Sequence, residues 1–196
     1  MKLIVMTRQD FFIEEDKILT ALFDEGFEYL NLYKPNAEPV LSERLLSLLP
    51  ESCHKKIIVH DHYYLKNEYS LGGIHLNDEN AEIPSAFKNK VSCTCNDILN
   101  LGYKDIRKKF QYIILNDTFT GKYSDEELRR ASVNGYINKK VYAMGGINAD
   151  TIKKASSLGF GGVVLRGDLW DKFDIHRENN YQNLLNYFTK IKKLIG

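Results

Sequence analysis

The chain has 196 residues, of which 43% are hydrophobic and 27% charged, and its net charge is +1 at pH 7. This length and composition fit one soluble globular domain with a sizeable core. The near-neutral balance excludes a global field for nucleic acid, membrane or acidic partners, so any anion site must be local.

In chain order, Leu3–Met6 opens as a short apolar strand. Glu14–Glu25 carries Ile18, Leu19, Leu22 and Phe23 at helical spacing, and Gly26 stops it. Tyr29–Leu32 is a second strand, and Leu41–Leu49 repeats leucine on one helix face before Pro50. Ile57–His60, Gly73–His75 and Val91–Cys93 are the next strands, with weaker helical segments after the fourth and fifth. Tyr112–Leu115 leads to a helix over Ser124–Ile137, where Ser124 and Glu127 form a capping box. Val141–Met144 precedes a helix over Asn148–Leu158 that ends at Gly159, and Gly162–Leu165 precedes a closing helix over Glu178–Ile195.

Most of the strands are continuous apolar runs, as expected of strands buried on both faces. Strands alternating with helices predict a parallel α/β sheet with right-handed crossovers. Eight such units predict a single-domain (β/α)8 TIM barrel with short βα loops over residues 1–196. An open doubly wound sheet is the rival, but no GxGxxG follows the first strand.

The apolar stretch Leu3–Met6 is far shorter than a secretory leader requires, and no apolar run approaches a membrane span. Cys53, Cys93 and Cys95 are an odd number without a leader, which predicts free structural thiols and a cytoplasmic protein. A homodimer is compatible with the chain.

In a barrel the chemistry sits where strands end. After the seventh strand, Ala143-Met144-Gly145-Gly146-Ile147-Asn148 places two glycines before a helix N-terminus, which lets backbone approach an anion closely. After the eighth strand, Arg166 and Gly167 add a cation and a further N–H. Together Gly145, Gly146, Arg166 and Gly167 predict a phosphate site. His60 and His62 would share one side of a strand end with Asp61 on the other, and with His75 they would offer a three-histidine metal set. His75 alone in an apolar strand also reads as a hydrogen-bonded core residue. Asn31 and Tyr33 share a face and could line the mouth, with Lys34 beside them. Asn116-Asp117-Thr118-Phe119-Thr120-Gly121-Lys122 suits an anion or an ordinary polar loop.

These motifs, in this order, resemble thiamine phosphate synthase and its TenI-type thiazole tautomerase relatives. The resemblance covers about Lys2 to Trp170. It rests on Gly73-Ile74-His75-Leu76 against the family's GVHLG, Ala143-Met144-Gly145-Gly146-Ile147 against A-I-G-G-I, Gly162-Val163-Val164 against a GVAV-like strand, and Ile57-Ile58-Val59-His60-Asp61 against I-I-N-D. It implies a (β/α)8 transferase of thiamine biosynthesis. Such an enzyme joins a pyrimidine methyl diphosphate to a thiazole phosphate and releases pyrophosphate, with magnesium neutralising the leaving group. Gly146 and the segment at Leu165 and Arg166 would hold the thiazole phosphate. Asp61 would lie near the pyrimidine and the metal, with His60 beside it. Ser92 stands at the strand-five serine, and Thr120 and Lys122 stand near a threonine-rich loop and its lysine.

The chain departs from the family at several of these positions. The family's Gln-x-Arg-x-Lys becomes Asn31-Leu32-Tyr33-Lys34-Pro35, so the arginine is Tyr33 and Lys34 is the nearest lysine. One expected aspartate falls near Tyr64, and another falls at Asn80 with Asp78 close by as a second candidate metal carboxylate. Asp117 stands at about the tautomerase's catalytic histidine, where a carboxylate could move a proton. The expected machinery is therefore Asp61, Lys122 and Asp117 for catalysis. Asn31, Tyr33, Lys34, His60, His75, Ser92 and Thr120 are expected to bind substrate, and Asp61 and Asp78 to bind magnesium. A tautomerase using Asp117, His60 or His75, a binder of small phosphates, and a three-histidine metal hydrolase are the alternatives.

Overall fold

The computed structural model describes residues 1–87, 90–174 and 181–195. The eight strands are β1 (Lys2–Met6), β2 (Tyr29–Leu32), β3 (Ile57–Val59), β4 (Gly73–Leu76), β5 (Val91–Cys95), β6 (Ile113–Leu115), β7 (Val141–Met144) and β8 (Gly162–Leu165). All neighbours pair in parallel, and β8 closes on β1 through Lys2 opposite Gly162 and Val5 opposite Leu165.

Alternate residues of each strand point to opposite faces. The outward set includes Leu3, Val5, Leu30, Leu32, Cys93, Cys95, Ile113, Leu115, Val163 and Leu165, all buried under the helix layer. The inward set includes Ile4, Met6, Tyr112, Ile114, Tyr142, Met144 and Val164. Inside the barrel the rings of Tyr29, Tyr112 and Tyr142 stack at 5.8 and 5.1 Å. Cys93 and Cys95 share the outward face as expected, and burial pushes both thiols up, Cys95 to about 12.

The helices are α1 (Glu15–Glu25), α2 (Pro39–Leu48), α3 (Glu51–His54), α4 (Leu65–Glu68), α5 (Lys104–Lys109), α6 (Asp125–Val133), α7 (Ala149–Ser157), α8 (Gly167–Trp170) and α9 (Tyr181–Ile195). The Ser124–Glu127 capping box forms at α6, and Asn148 caps α7 through the Asp150 and Thr151 N–H groups. Several boundaries differ from expectation. α2 starts two residues early because Pro39 pre-sets the first turn. α6 stops before Ile137 because Gly135 takes φ +71°. The segment after β4 is a single 3-10 turn at Ser85–Phe87, and that after β5 is a 3-10 stretch, Ile98–Gly102, leading into α5. The expected start of the closing helix at Glu178 lies outside the described residues.

Candidate active site

Two adjoining cavities open at the C-terminal ends of the strands. The inner one, about 190 Å³, is walled by Tyr33, His60, Asn77, Thr94, Asn96 and Arg166 over Met6 and Met144. The outer one, about 450 Å³, is walled by Asp117, Gly145, Gly146, Arg166, Gly167 and Asp168. Asn116, Met144 and Arg166 belong to both walls, so one ligand can span them.

The outer cavity brings together the four residues expected at a phosphate. Gly145 and Gly146 take φ +91° and +67°. Their lack of a Cβ has a second cause, because the β6 loop packs directly on them. Thr118 N–H donates to the Met144 carbonyl at 2.8 Å and Phe119 N–H to the Gly145 carbonyl at 3.1 Å. A Cβ on Gly146 would stand 2.4 Å from the Phe119 carbonyl oxygen. Arg166 lies with its guanidinium 5.0 Å from the centre of the Tyr33 ring, a cation–π contact that orients the charge over the mouth. Gly167 begins α8, so the loop after β8 ends in a short helix, as at the phosphate sites of other barrels.

The inner cavity rests on a polar column. His60 is 2% exposed, and its Nδ1 lies 2.9 Å from Asn77 Oδ1. An amide oxygen can only accept, so Nδ1 carries the hydrogen. Burial, with the Arg166 charge adding to it, lowers His60 from 6.5 to about 4 despite the Asn77 bond. Its ring stacks on His75 at 4.1 Å and meets the Tyr33 ring at 5.2 Å. His75 is fully buried, with Nδ1 2.8 Å from Ser92 Oγ and Nε2 2.8 Å from Thr94 Oγ1. Ser92 Oγ donates to the Ile74 carbonyl at 3.4 Å, so it accepts from His75 Nδ1–H, and His75 Nε2 accepts from Thr94. Tyr112 donates to Asn31 Oδ1 at 3.1 Å in the same interior.

Several expected residues stand elsewhere. Asn31, His75 and Ser92 do not line either cavity; they are buried behind it and hold its wall in place. Lys34 is turned away from the mouth. Its Nζ donates to the two Glu15 carboxylate oxygens at 2.7 and 2.8 Å and to the Asp10 carbonyl at 3.0 Å, over the Phe11 ring. Burial lowers Lys34 and raises Glu15 to about 7. This pair ties the β1–α1 loop to the end of β2. Lys122 donates to the Asn96 carbonyl at 2.6 Å and stands 3.9 Å from Asp117, while Thr120 donates to the Asp117 carbonyl. Both are exposed on the β6 loop, outside the two cavity walls.

The three-histidine metal expectation is corrected. His62 leaves the strand with φ +50° and its Nε2 meets the Ala37 carbonyl, while both His75 nitrogens are engaged, so the three histidines do not converge. Among the described residues no group of three or more His, Cys, Asp or Glu side chains is placed to hold a metal. Asp61 is half-buried with Oδ2 unpartnered, and burial raises it. Asp78 is exposed and accepts the Asn80 N–H at 2.7 Å, and Tyr64 donates instead to Glu43. Asp117, Asp168 and Asp171 line the outer cavity without converging on one point, so a magnesium ion there would take most of its oxygen ligands from a bound diphosphate and water.

Sequence reasoning missed Asn77, Thr94, Asn96 and Asn116 as wall residues. The available signal was the two-residue period of β5. Ser92, Thr94 and Asn96 continue one inward face, but the strand was expected to stop at Cys93.

No family model and no curated protein matches the chain. Solved structures do. Thiamine phosphate pyrophosphorylase from Bacteroides thetaiotaomicron is 44% identical, the alignment covers 99% of this chain and 97% of that one, and the TM-score is 0.92. Thiamine phosphate pyrophosphorylase from Pyrococcus furiosus is 15% identical over 100% and 97% of the two chains, with a TM-score of 0.71. A variant tryptophan synthase α-subunit from Pyrococcus furiosus is 14% identical over 98% of each chain, with a TM-score of 0.63. The last two share the fold alone. With the first of these three it shares far more, and the chain belongs to the thiamine phosphate pyrophosphorylase (thiamine phosphate synthase) family of transferases.

Proposed function

We propose that this protein is a thiamine phosphate synthase, joining hydroxymethylpyrimidine diphosphate to a thiazole phosphate with release of pyrophosphate. The observation that carries this reading is the 44% identity to a thiamine phosphate pyrophosphorylase across nearly the whole chain. The cavity chemistry supports it. The outer cavity, with Arg166 and the three glycines, takes the thiazole phosphate, and the inner one takes a ring. In the reaction the bond from the pyrimidine methylene carbon to the diphosphate oxygen breaks, and the thiazole nitrogen bonds to that carbon. Pyrophosphate leaves with the electron pair. Arg166 and the phosphate-side loops hold the acceptor in line, which lowers the entropic part of the barrier. Lys122 and Thr120 offer donors to the departing pyrophosphate from the β6 loop.

Asp117 in the outer wall favours a second reading, a thiazole tautomerase with Asp117 moving the proton. No helix among the described residues is long and apolar enough to cross a membrane, and Cys53, Cys93 and Cys95 are free, which supports a cytoplasmic location.

Incubation with both substrates and magnesium, followed by chromatography, should yield thiamine phosphate and pyrophosphate in equal amounts. No product at enzyme concentrations comparable to substrate contradicts the synthase reading. Conversion of a thiazole phosphate tautomer under those conditions supports the isomerase, and binding without any turnover supports a carrier of small phosphates.

A further inference from the structure

Among the described residues, three buried side-chain polar atoms have no hydrogen-bond partner: Asn31 Nδ2, His60 Nε2 and Asp61 Oδ2. Only His60 also lines the inner cavity. Its Nδ1–H is fixed on Asn77, so in the neutral ring Nε2 carries a bare lone pair. The ring is also held in place. His75, locked at both nitrogens, stacks on one face at 4.1 Å, and the Tyr33 ring meets His60 at 5.2 Å. A buried acceptor without a partner is costly, and that cost is relieved when a ligand brings a donor. The cavity wall contains one charged group, Arg166, and no carboxylate, so nothing in it favours a cationic ligand.

We propose that His60 is a specificity-determining residue whose Nε2 accepts a hydrogen bond from an N–H donor on an uncharged nitrogen heterocycle in the inner cavity. The inference deepens the synthase reading and rests on it, because that reading seats the amino-bearing pyrimidine half in this cavity. Asn77 and His75 are then positioning residues. Asn77 sets the tautomer, and His75 sets the plane of the ring.

The test is calorimetric binding of thiamine phosphate and of an analogue in which hydrogen replaces the pyrimidine amino group. Wild-type protein should bind thiamine phosphate about 10-fold more tightly than the analogue, the worth of one hydrogen bond to a buried acceptor. His60→Phe keeps an aromatic ring against His75 but has no acceptor, and should bind the two ligands within about 3-fold of each other. His60→Gln offers an acceptor and should restore most of the preference. Equal binding of the two ligands by wild type, or an undiminished preference in His60→Phe, overturns the inference and leaves the synthase reading standing. Failure of wild type to bind thiamine phosphate at all overturns both. Nitrogen NMR on histidine-labelled wild-type protein supplies a readout that needs no variant. Nε2 of His60 should be unprotonated without ligand and should shift when thiamine phosphate is added, and a protonated Nε2 in the free protein overturns the inference.

Discussion

From β2 to β5 the barrel mouth is lined by neutral side chains, whereas from β6 to β8 it is lined by glycine loops, Arg166 and the carboxylates Asp117, Asp168 and Asp171. In the first region His60, Asn77 and Thr94 stand on a buried column of His75, Ser92 and Asn31, and the hydrogen bonds of the column fix each ring. In the second, Gly145, Gly146 and Gly167 bring the backbone to the cavity, and Arg166 is its one cationic side chain, facing a wall that also holds Asp117, Asp168 and Asp171. On the proposed function the difference separates two tasks: the side-chain wall would read the shape and donor pattern of a ring, and the backbone wall with Arg166 would read a phosphate.

The comparison can be broken most severely beneath the neutral half. Lys34→Met leaves Glu15 buried without its partner, and should lower unfolding free energy by about 3–5 kcal/mol in urea titrations at pH 8. The double variant Lys34→Met with Glu15→Met should lose less than the single one. A double variant as unstable as the single one would show that packing, not charge, is what Lys34 supplies. In the glycine half, Gly146→Ala pushes a Cβ against the Phe119 carbonyl at a positive φ, and should cost about 3 kcal/mol. A loss under about 0.5 kcal/mol would mean that the β6 loop does not press on β7 as described.

The pH dependence of stability sharpens the comparison further. His60 is lowered from 6.5 to about 4 in the folded chain, so below 6.5 the unfolded chain binds the proton first. Its contribution is complete above about pH 6.5 and is lost as the pH falls towards 4. Between pH 7.5 and 5 the wild type should therefore lose about 2 kcal/mol more than His60→Gln. Equal losses in the two proteins would place His60 in water and not in a dry wall.

Much of this architecture was legible in the sequence, for a physical reason. Strands buried on both faces are mostly apolar, so the runs Val141–Met144 and Gly162–Leu165 were bounded to the residue, as was Tyr29–Leu32 despite its inward Asn31. Boundaries slipped where polar residues face inward. β5 continues through Thr94 to Cys95, and His60 belongs to the turn after β3. Gly145, Gly146, Arg166 and Gly167 could be grouped from the sequence because they follow adjacent strands, and they do line one cavity, although the β6 loop packed on Gly146 is a second reason for glycine there. The neutral half was only partly so. Tyr33 and His60 were placed at the mouth, but whether Lys34 faces the mouth or α1 depends on Glu15, 19 residues earlier and one crossover away. His75 and Ser92 were each expected to bind substrate, yet their mutual bond, which removes them from the cavity wall, is set by the register of β4 on β5.

Arg166 and the glycine loops should read phosphate independently of the ring in the neutral half. The most direct measurement compares the affinities of thiazole phosphate and its unphosphorylated alcohol for wild type and for Arg166→Met. Wild type should prefer the phosphate by about 10- to 100-fold, the worth of one or two charge-assisted hydrogen bonds, and Arg166→Met should lose most of that preference while binding the alcohol unchanged. Equal affinity of wild type for both compounds, or a preference untouched in Arg166→Met, would contradict the account.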